Sequence, residues 1–426
     1  RLAANREDKD VGPRLWEILM TTINGDRLLG DLRHLRSIGA VDNGVVRPAF
    51  SEADMNARRW LRGQFETAGL TTTLDGVGNV FGTSSNPGPA LLLGSHSDTQ
   101  PTGGWLDGAL GVVYGLEVAR ALAEDPATRH LAVDVIALQD EESRFVGCLG
   151  SRSLCGLLAP DVESTAVDRD GVRLVDALRE AGLADTPRTR LEPARYAGFL
   201  EAHIEQGPHL EADGRRIGVV TSIVGLGGLR LTFAGQQNHA GTTMMHLRKD
   251  AASALFALAS AINETFPKIA GPRTVWTMGR AVVHPGAASI VPGYAELDLQ
   301  YRDPSEAVLD ALEAEVDRLA QEVSSRGGAK VSVESARERI APVEMDRTLR
   351  KHLGAAAERS APGQWIEMPS GAYHDSGVIS EVLPTAMLFI PSIGGISHDF
   401  AEDSHDDDIV LGCQVLADAT AAILSG

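Results

Sequence analysis

Cysteine is scarce in this chain: Cys148, Cys155 and Cys413 are the only three among 426 residues, they cannot all pair, and they show no metal-ligand spacing. That excludes a disulfide framework and fits a reducing cytosol, with Cys148 and Cys155 taken most simply as small apolar residues of the interior. Positive charge is also short, 39 Lys and Arg against 58 Asp and Glu, for a formal charge of −19. A nucleic-acid partner is therefore not expected, because neutralising phosphates needs a surplus of cations on at least one face. No uninterrupted apolar run approaches a membrane span, and the opening Arg1-Leu2-Ala3-Ala4-Asn5-Arg6-Glu7-Asp8 lacks the apolar core of a secretion signal. A cytoplasmic protein with no membrane partner is the expectation.

What is there is ordinary for a globular protein: 43% hydrophobic and 23% charged residues, with enough length for two domains or one domain carrying a large insertion. Ala90-Leu91-Leu92-Leu93-Gly94 has the pattern of a buried strand, Gly111 to Ala123 repeats apolar residues at helical spacing, and Leu131 to Leu138 is a second strand ending just before Asp140. Open α/β sheets place ligands at such carboxyl ends. From Gly228 the character changes. A strand to Ala234, a helix over Arg248–Phe266, strands at Thr274–Val283 and Tyr294–Arg302, a helix over Pro304–Ser324 and a strand at Lys330–Glu334 give the order βαββαβ, a compact α+β insertion. The chain returns through a buried strand at Pro384–Ile390. The Asp406-Asp407-Asp408 run is a solvated loop or a helix start.

Imidazole and carboxylate groups then recur in separate segments: Gly94-Ser95-His96-Ser97-Asp98, Trp105-Leu106-Asp107-Gly108, Asp140-Glu141-Glu142, His203-Ile204-Glu205-Gln206-Gly207 and Ser397-His398-Asp399. Neutral imidazoles and carboxylates are the ligands that zinc-like divalent ions take, and one bridging carboxylate holds two ions close enough to act on one water. Each element alone has a bland explanation: His96 and Asp98 hydrogen-bonded to each other, Asp107 in a turn, an acidic loop at Glu141-Glu142, core or surface histidines at 203 and 398. The functional reading has His96 on a metal with the Asp98 carboxylate fixing its tautomer. It makes one Glu of the pair a ligand and the other a proton shuttle between water and the leaving nitrogen. The coincidence of all five segments favours it.

Taken with Asn238-His239-Ala240-Gly241-Thr242-Thr243, Ser370-Gly371-Ala372, His374-Asp375 and Pro391-Ser392-Ile393-Gly394-Gly395-Ile396-Ser397-His398, these segments resemble the N-carbamoyl-L-amino-acid amidohydrolase, allantoate amidohydrolase and β-ureidopropionase group, the hydantoinase/carbamoylase branch of the aminoacylase and carboxypeptidase-type metallopeptidases. The resemblance runs from about Gly94 to Glu402. It implies an α/β, dinuclear-metal exopeptidase-like catalytic domain over 1–212 and 336–426, with an inserted α+β lid and dimerisation domain over 213–335. It implies two divalent ions (zinc, or manganese, cobalt or nickel), one on His96, Asp107 and His203, the other on Asp107, Glu142 and His398, with Asp107 bridging. Glu141 would be the base, although the family has Gly where Ser143 follows the pair, and an alternative alignment shifts the pair to Asp140 and Glu141. His239 would stabilise the oxyanion in the active site of a neighbouring subunit, which implies a homodimer. Arg302 would clamp a substrate carboxylate, and Gln206, Gly371 and Ala372 would contact the substrate.

Departures bear on the substrate. Ser289 stands where the family has Asn before Ile290-Val291-Pro292-Gly293, Met244 replaces a Pro after the paired threonines, and Tyr373 replaces a Gly. Ser289 offers fewer hydrogen bonds than the amide. The expected reaction is hydrolysis of a linear C–N bond in an N-carbamoyl-L-amino acid, giving amino acid, carbon dioxide and ammonia. The alternatives are allantoate, an N-acyl amino acid, or a silent ligand-binding dimer.

Overall fold

A computed structural model describes residues 21–336 and 339–426. Along the chain it forms α1 (Gly25–Ser37), α2 (Glu52–Thr67), β1 (Thr71–Leu74), β2 (Val80–Thr83), β3 (Ala90–His96), α3 (Ala109–Glu124), β4 (Val133–Leu138), α4 (Leu149–Cys155), β5 (Tyr196–Ile204) and β6 (Ile217–Ile223). There follow β7 (Gly225–Ala234), α5 (Ala251–Thr265), β8 (Val275–His284), β9 (Tyr294–Asp303), α6 (Glu306–Ser325) and β10 (Lys330–Ser335). The last elements used here are α7 (Arg347–Ser360), β11 (Trp365–Ser370), β12 (Thr385–Ile390) and α8 (Asp406–Ser425). Two compact units result, a larger one ending at Thr221 and resuming over Met345–Met368 and His374–Gly426, and a smaller one over Ser222–Glu344 and Pro369–Tyr373.

The larger unit is an α/β sheet in the order β6-β12-β5-β3-β4-β2-β1, with β11 also paired to β6. Its four central strands, β12, β5, β3 and β4, are mutually parallel. They are apolar on both faces, as strands covered from both sides must be: every residue of β3, β4 and β12 is buried. Helix α3 is largely apolar and lies in the core, where Leu110, Val113, Leu116 and Val118 are fully buried and the buried Glu117 is paired with Arg27. Serine and asparagine caps start the outer helices, Asn24 accepting from the Arg27 N–H and Ser51 from the Asp54 N–H. All four parallel strands end on the same edge, and their carboxyl ends carry or precede His96, Glu141, His203 and His398.

The smaller unit is an antiparallel sheet in the order β8-β9-β7-β10, with α5 and α6 supplying its core. Strand β9 alternates strictly, burying Ala295, Leu297, Leu299, Tyr301 and Asp303 on one face. The first four pack with Leu231, Phe233, Leu258, Ile262, Leu312 and Val316. The element order is the βαββαβ of the sequence pattern. Helix α5 begins three residues later than the apolar spacing suggests, because the Asp250 carboxylate accepts the Ser253 N–H and fixes the cap there.

The Asp406-Asp407-Asp408 run is a helix start, the first turn of α8, which by length and composition alone is apolar enough to cross a membrane. In the fold it is a core helix against α7, α3 and β12, with 67% of its most apolar stretch buried.

Candidate metal centre

The parallel strands and the turns after them bring five candidate ligands together in the larger unit. His96 ends β3, His203 lies one residue before the end of β5, Asp107 sits in the turn before α3, Glu142 follows β4, and His398 lies in the loop between β12 and α8. Asp107 is central. Its Oδ1 lies 3.1 Å from His203 Nε2 and 3.5 Å from His96 Nε2, while its Oδ2 lies 3.2 Å from His398 Nε2. Glu142 Oε1 is 3.6 Å from the same His398 nitrogen. Two groups able to hold a metal ion result, His96–Asp107–His203 and Asp107–Glu142–His398.

Tautomers are fixed for two of the imidazoles. His96 Nδ1 donates to the Asp98 carbonyl at 3.0 Å and His203 Nδ1 to the Ile204 carbonyl at 2.9 Å, so both present the Nε2 lone pair inward. This corrects the expectation for Asp98. Its carboxylate is 4.0 Å from His96 Nδ1, which is already satisfied by the backbone; instead Oδ2 accepts the Glu142 N–H at 3.3 Å, and Oδ1 faces the buried Arg58 guanidinium at 3.7 Å. Asp98 therefore supports the Glu142 backbone. Gly108, at φ +65°, lets the turn run against His96: a Cβ there would meet the ring at 2.4 Å.

Glu141 and Glu142 diverge, as adjacent residues beyond a strand can. Glu141 Oε2 lies 3.8 Å from His96 Nε2, and the Cys148 thiol donates to its Oε1 at 3.8 Å. Asp140 turns away. Its carboxylate accepts the N–H groups of Arg144, Phe145 and Val146, which closes the loop after β4. Burial drives the Glu141 carboxyl well above its ordinary range, with His96 opposing the rise, and brings Glu142 to about 7 with the Asp107 charge adding to it. Burial acts on Asp107 in the same sense, but its bonds to His203, His398 and His96 outweigh that and hold it well below the usual carboxylate range. The bond to Asp107 lifts His398 to about 9. Such a cluster stores carboxylates and imidazoles at close range out of water, the electrostatic setting of a cation site.

Gln206, at φ +57°, is drawn into the site, but its amide nitrogen donates to Asp107 Oδ2 at 3.0 Å rather than standing free for a substrate. The remaining predicted residues belong to the smaller unit. Asn238–His239 pairs antiparallel with Ile290–Val291, and the Ala240 N–H donates to the Ser289 carbonyl, so His239 and Ser289 lie on the two facing segments of one short ladder. His239 is exposed; its Nδ1 accepts the N–H groups of Gly241 and Thr242 at 3.1 and 3.2 Å, which leaves the proton on Nε2. Arg302, at the end of β9, donates to the Gly371 carbonyl at 2.8 Å, and Ser370 bonds both backbone groups of Ala372.

Sequence reasoning passed over Glu402, Gln100 and Arg58. Glu402 is buried and accepts from Leu106, Asp107 and Ser397, while Gln100 donates to Glu142 Oε2 at 2.7 Å. Arg58, fully buried, donates to the carbonyls of Gly78, Ala137 and Leu138 and so secures the end of β4. None lies in a local pattern that marks it.

Peptidase family M20/M25/M40 matches residues 92–422, a span that takes in all five candidate ligands. The chain belongs to that family. Within M20/M25/M40 it is similar to an amidase of the hydantoinase/carbamoylase family from Burkholderia phymatum, whose crystal structure superposes with a TM-score of 0.91 at 50% identity, covering 96% of this chain and 99% of that one. It is 33% identical over 407 residues to the N-carbamoyl-L-amino acid amidohydrolase of Geobacillus stearothermophilus, covering 92% of this chain and 97% of that protein. It is 34% identical over 385 residues to the ureidoglycolate hydrolase of Arabidopsis thaliana, covering 88% and 81%. This M20/M25/M40 member is thus an amidohydrolase of the carbamoylase and allantoate amidohydrolase type, acting on carbon–nitrogen bonds other than peptide bonds.

Proposed function

We infer that the protein holds two divalent metal ions, one on His96, Asp107 and His203 and one on Asp107, Glu142 and His398, and hydrolyses the C–N bond of an N-carbamoyl-L-amino acid. The observation that carries this reading is the Asp107 carboxylate, which turns one oxygen to His96 and His203 and the other to His398. The donor set suits zinc and equally manganese, cobalt or nickel. Divalent ions there supply Lewis-acid polarisation of the scissile carbonyl and a water acidic enough to be deprotonated near neutral pH.

The chain's own groups do the rest. Glu141, its Oε2 beside the His96 end of the cluster and its other oxygen held by Cys148, takes the proton of the attacking water and returns it to the leaving amino-acid nitrogen. The carbamic acid left behind breaks down to carbon dioxide and ammonia. His239, with Nδ1 engaged by its own turn, has Nε2–H as a donor for the oxyanion; in this reading it serves the neighbouring subunit of a homodimer, and the smaller unit acts as lid and dimerisation domain. Arg302 presents a fork for the substrate carboxylate, with the backbone of Gly371 and Ala372 beside it and Ser289 contributing a short hydroxyl. Gln206 reaches the substrate by exchanging its bond to Asp107 for one to the ureido group.

A second reading, another ureido acid, is favoured by Ser289 in place of a longer amide, which would leave room for the larger allantoate, and by the likeness to ureidoglycolate hydrolase. Metal-loaded protein offered N-carbamoyl-L-amino acids, allantoate, ureidoglycolate and N-acyl amino acids in parallel separates the cases. Ammonia together with a free amino acid from the carbamoyl compounds is the expected result. Amino acid from the acyl compounds alone overturns it in favour of an amidase, and ammonia from the ureido acids alone selects the second reading.

A further inference from the structure

Resting on the two-ion reading above, we propose that Glu402 is a positioning residue that assembles the second ion's site by tying the Asp107 turn to the His398 loop. The two segments lie 295 positions apart in sequence, and their ligands meet only if the loops are registered against each other. Glu402 does this with both oxygens. Oε1 accepts the N–H groups of Leu106 at 3.1 Å and Asp107 at 3.0 Å, and Oε2 accepts the Ser397 hydroxyl at 2.9 Å. That hydroxyl also lies 3.2 Å from Asp107 Oδ2, the oxygen that faces His398.

The carboxylate is packed as well as bonded. Glu402 is 2% exposed, and a Cβ on Gly104 would fall 1.9 Å from its carboxyl group, so the Asp107 turn passes directly over it. A neighbouring bond in the same direction, from Trp105 Nε1 to Asp403 Oδ1 at 3.2 Å, gives the two segments a further tie. Two main-chain N–H groups and a hydroxyl converging on one buried carboxylate form a connected network, which rigidifies only while every member is satisfied.

The two ligand groups depend on this tie unequally. His96 and His203 are held by β3 and β5 in the centre of the sheet, and each Nδ1 is anchored by a backbone carbonyl. His398 has no such strand; it sits at φ +55° in a loop, with its side chain 48% exposed. Loss of Glu402 frees the shared Asp107 turn as well as the His398 loop, so it loosens the second site far more than the first, which keeps two strand-borne imidazoles with their own backbone anchors.

The test is titration of the metal-free full-length protein with Co²⁺, followed by calorimetry and by the cobalt absorption spectrum. Wild type takes two equivalents. Glu402→Ala keeps the first within about threefold and binds the second 10 to 100 times more weakly, the usual order for removing a group that orients a ligand. Glu402→Gln, which can still accept both N–H groups through one oxygen, restores most of the second affinity. His398→Ala serves as the reference for a lost second site. Two tight ions in Glu402→Ala overturn the proposal, and so does an equal loss of both, which marks a general contribution to folding; the retained first site is the internal control for a folded chain. A wild type that binds fewer than two ions overturns the two-ion reading itself.

Discussion

His96, Asp107 and His203 are each at most 3% exposed, and both histidines lie on central strands; Glu142 and His398 lie beyond strand ends, and His398 has nearly half its side chain in solvent. One group of ligands is thus preformed by the sheet, and the other is completed by loops that must be held in register. The lesson is that a shared carboxylate can join a group of side chains fixed by a sheet to one carried on loops, and the loop-borne group then needs its segments tied together from outside.

The sharpest way to break this comparison is Asp107→Asn, which weakens the common ligand. Turnover is expected to fall below detection with both ions lost in elemental analysis; retention of either at full affinity means the groups do not share it. Next is Glu141→Gln, which should keep both ions and lower kcat by about 10² to 10⁴, the usual worth of a positioned general base. Normal turnover there removes Glu141 from the mechanism.

His239→Ala extends the comparison to the smaller unit, with an expected loss of about 10² to 10³ in kcat and metal content unchanged. Mixing it with Glu141→Gln after dissociation should restore roughly a quarter of wild-type activity, because half of the dimers carry one complete site in a two-fold assembly. No recovery excludes a donor shared between subunits. The smallest effect expected is for Arg302→Lys: KM for a carboxylate-bearing substrate rises about tenfold, or ~1.4 kcal/mol, through loss of the guanidinium fork, while kcat changes little.

The strand-borne half of the site was the legible half. Apolar runs that end abruptly in His96 or just before Asp140 announce both the strand and the group it delivers, and the β7-to-β10 alternation announces the smaller sheet as plainly. The groups that lie together geometrically are the two sets that the family resemblance implied. What stayed hidden depends on contacts with no local signature. The His96–Asp98 pair was visible, but not that His96 Nδ1 would choose the Asp98 carbonyl over its carboxylate. Glu402 and Arg58 act on segments far along the chain, and nothing local sets the one apart from the neighbouring acids Asp399 and Asp403 or the other from Arg59 and Arg62. The strong caps Asn24 and Ser51 mark helices whose purpose, closing one flank of the larger core, only packing reveals.

The interleaving of the two units also sets an order for synthesis. The smaller sheet, β7 to β10, is drawn from one continuous stretch and can close as soon as residue 335 has been made. At that moment the larger sheet lacks β12, so one side of β5 is an unpaired parallel edge and α3 has no α8 beside it. A nascent chain therefore carries a completed smaller sheet and an unfinished larger one together, with the bare β5 edge as the surface on which chaperones or neighbouring chains compete until residues 385–390 arrive.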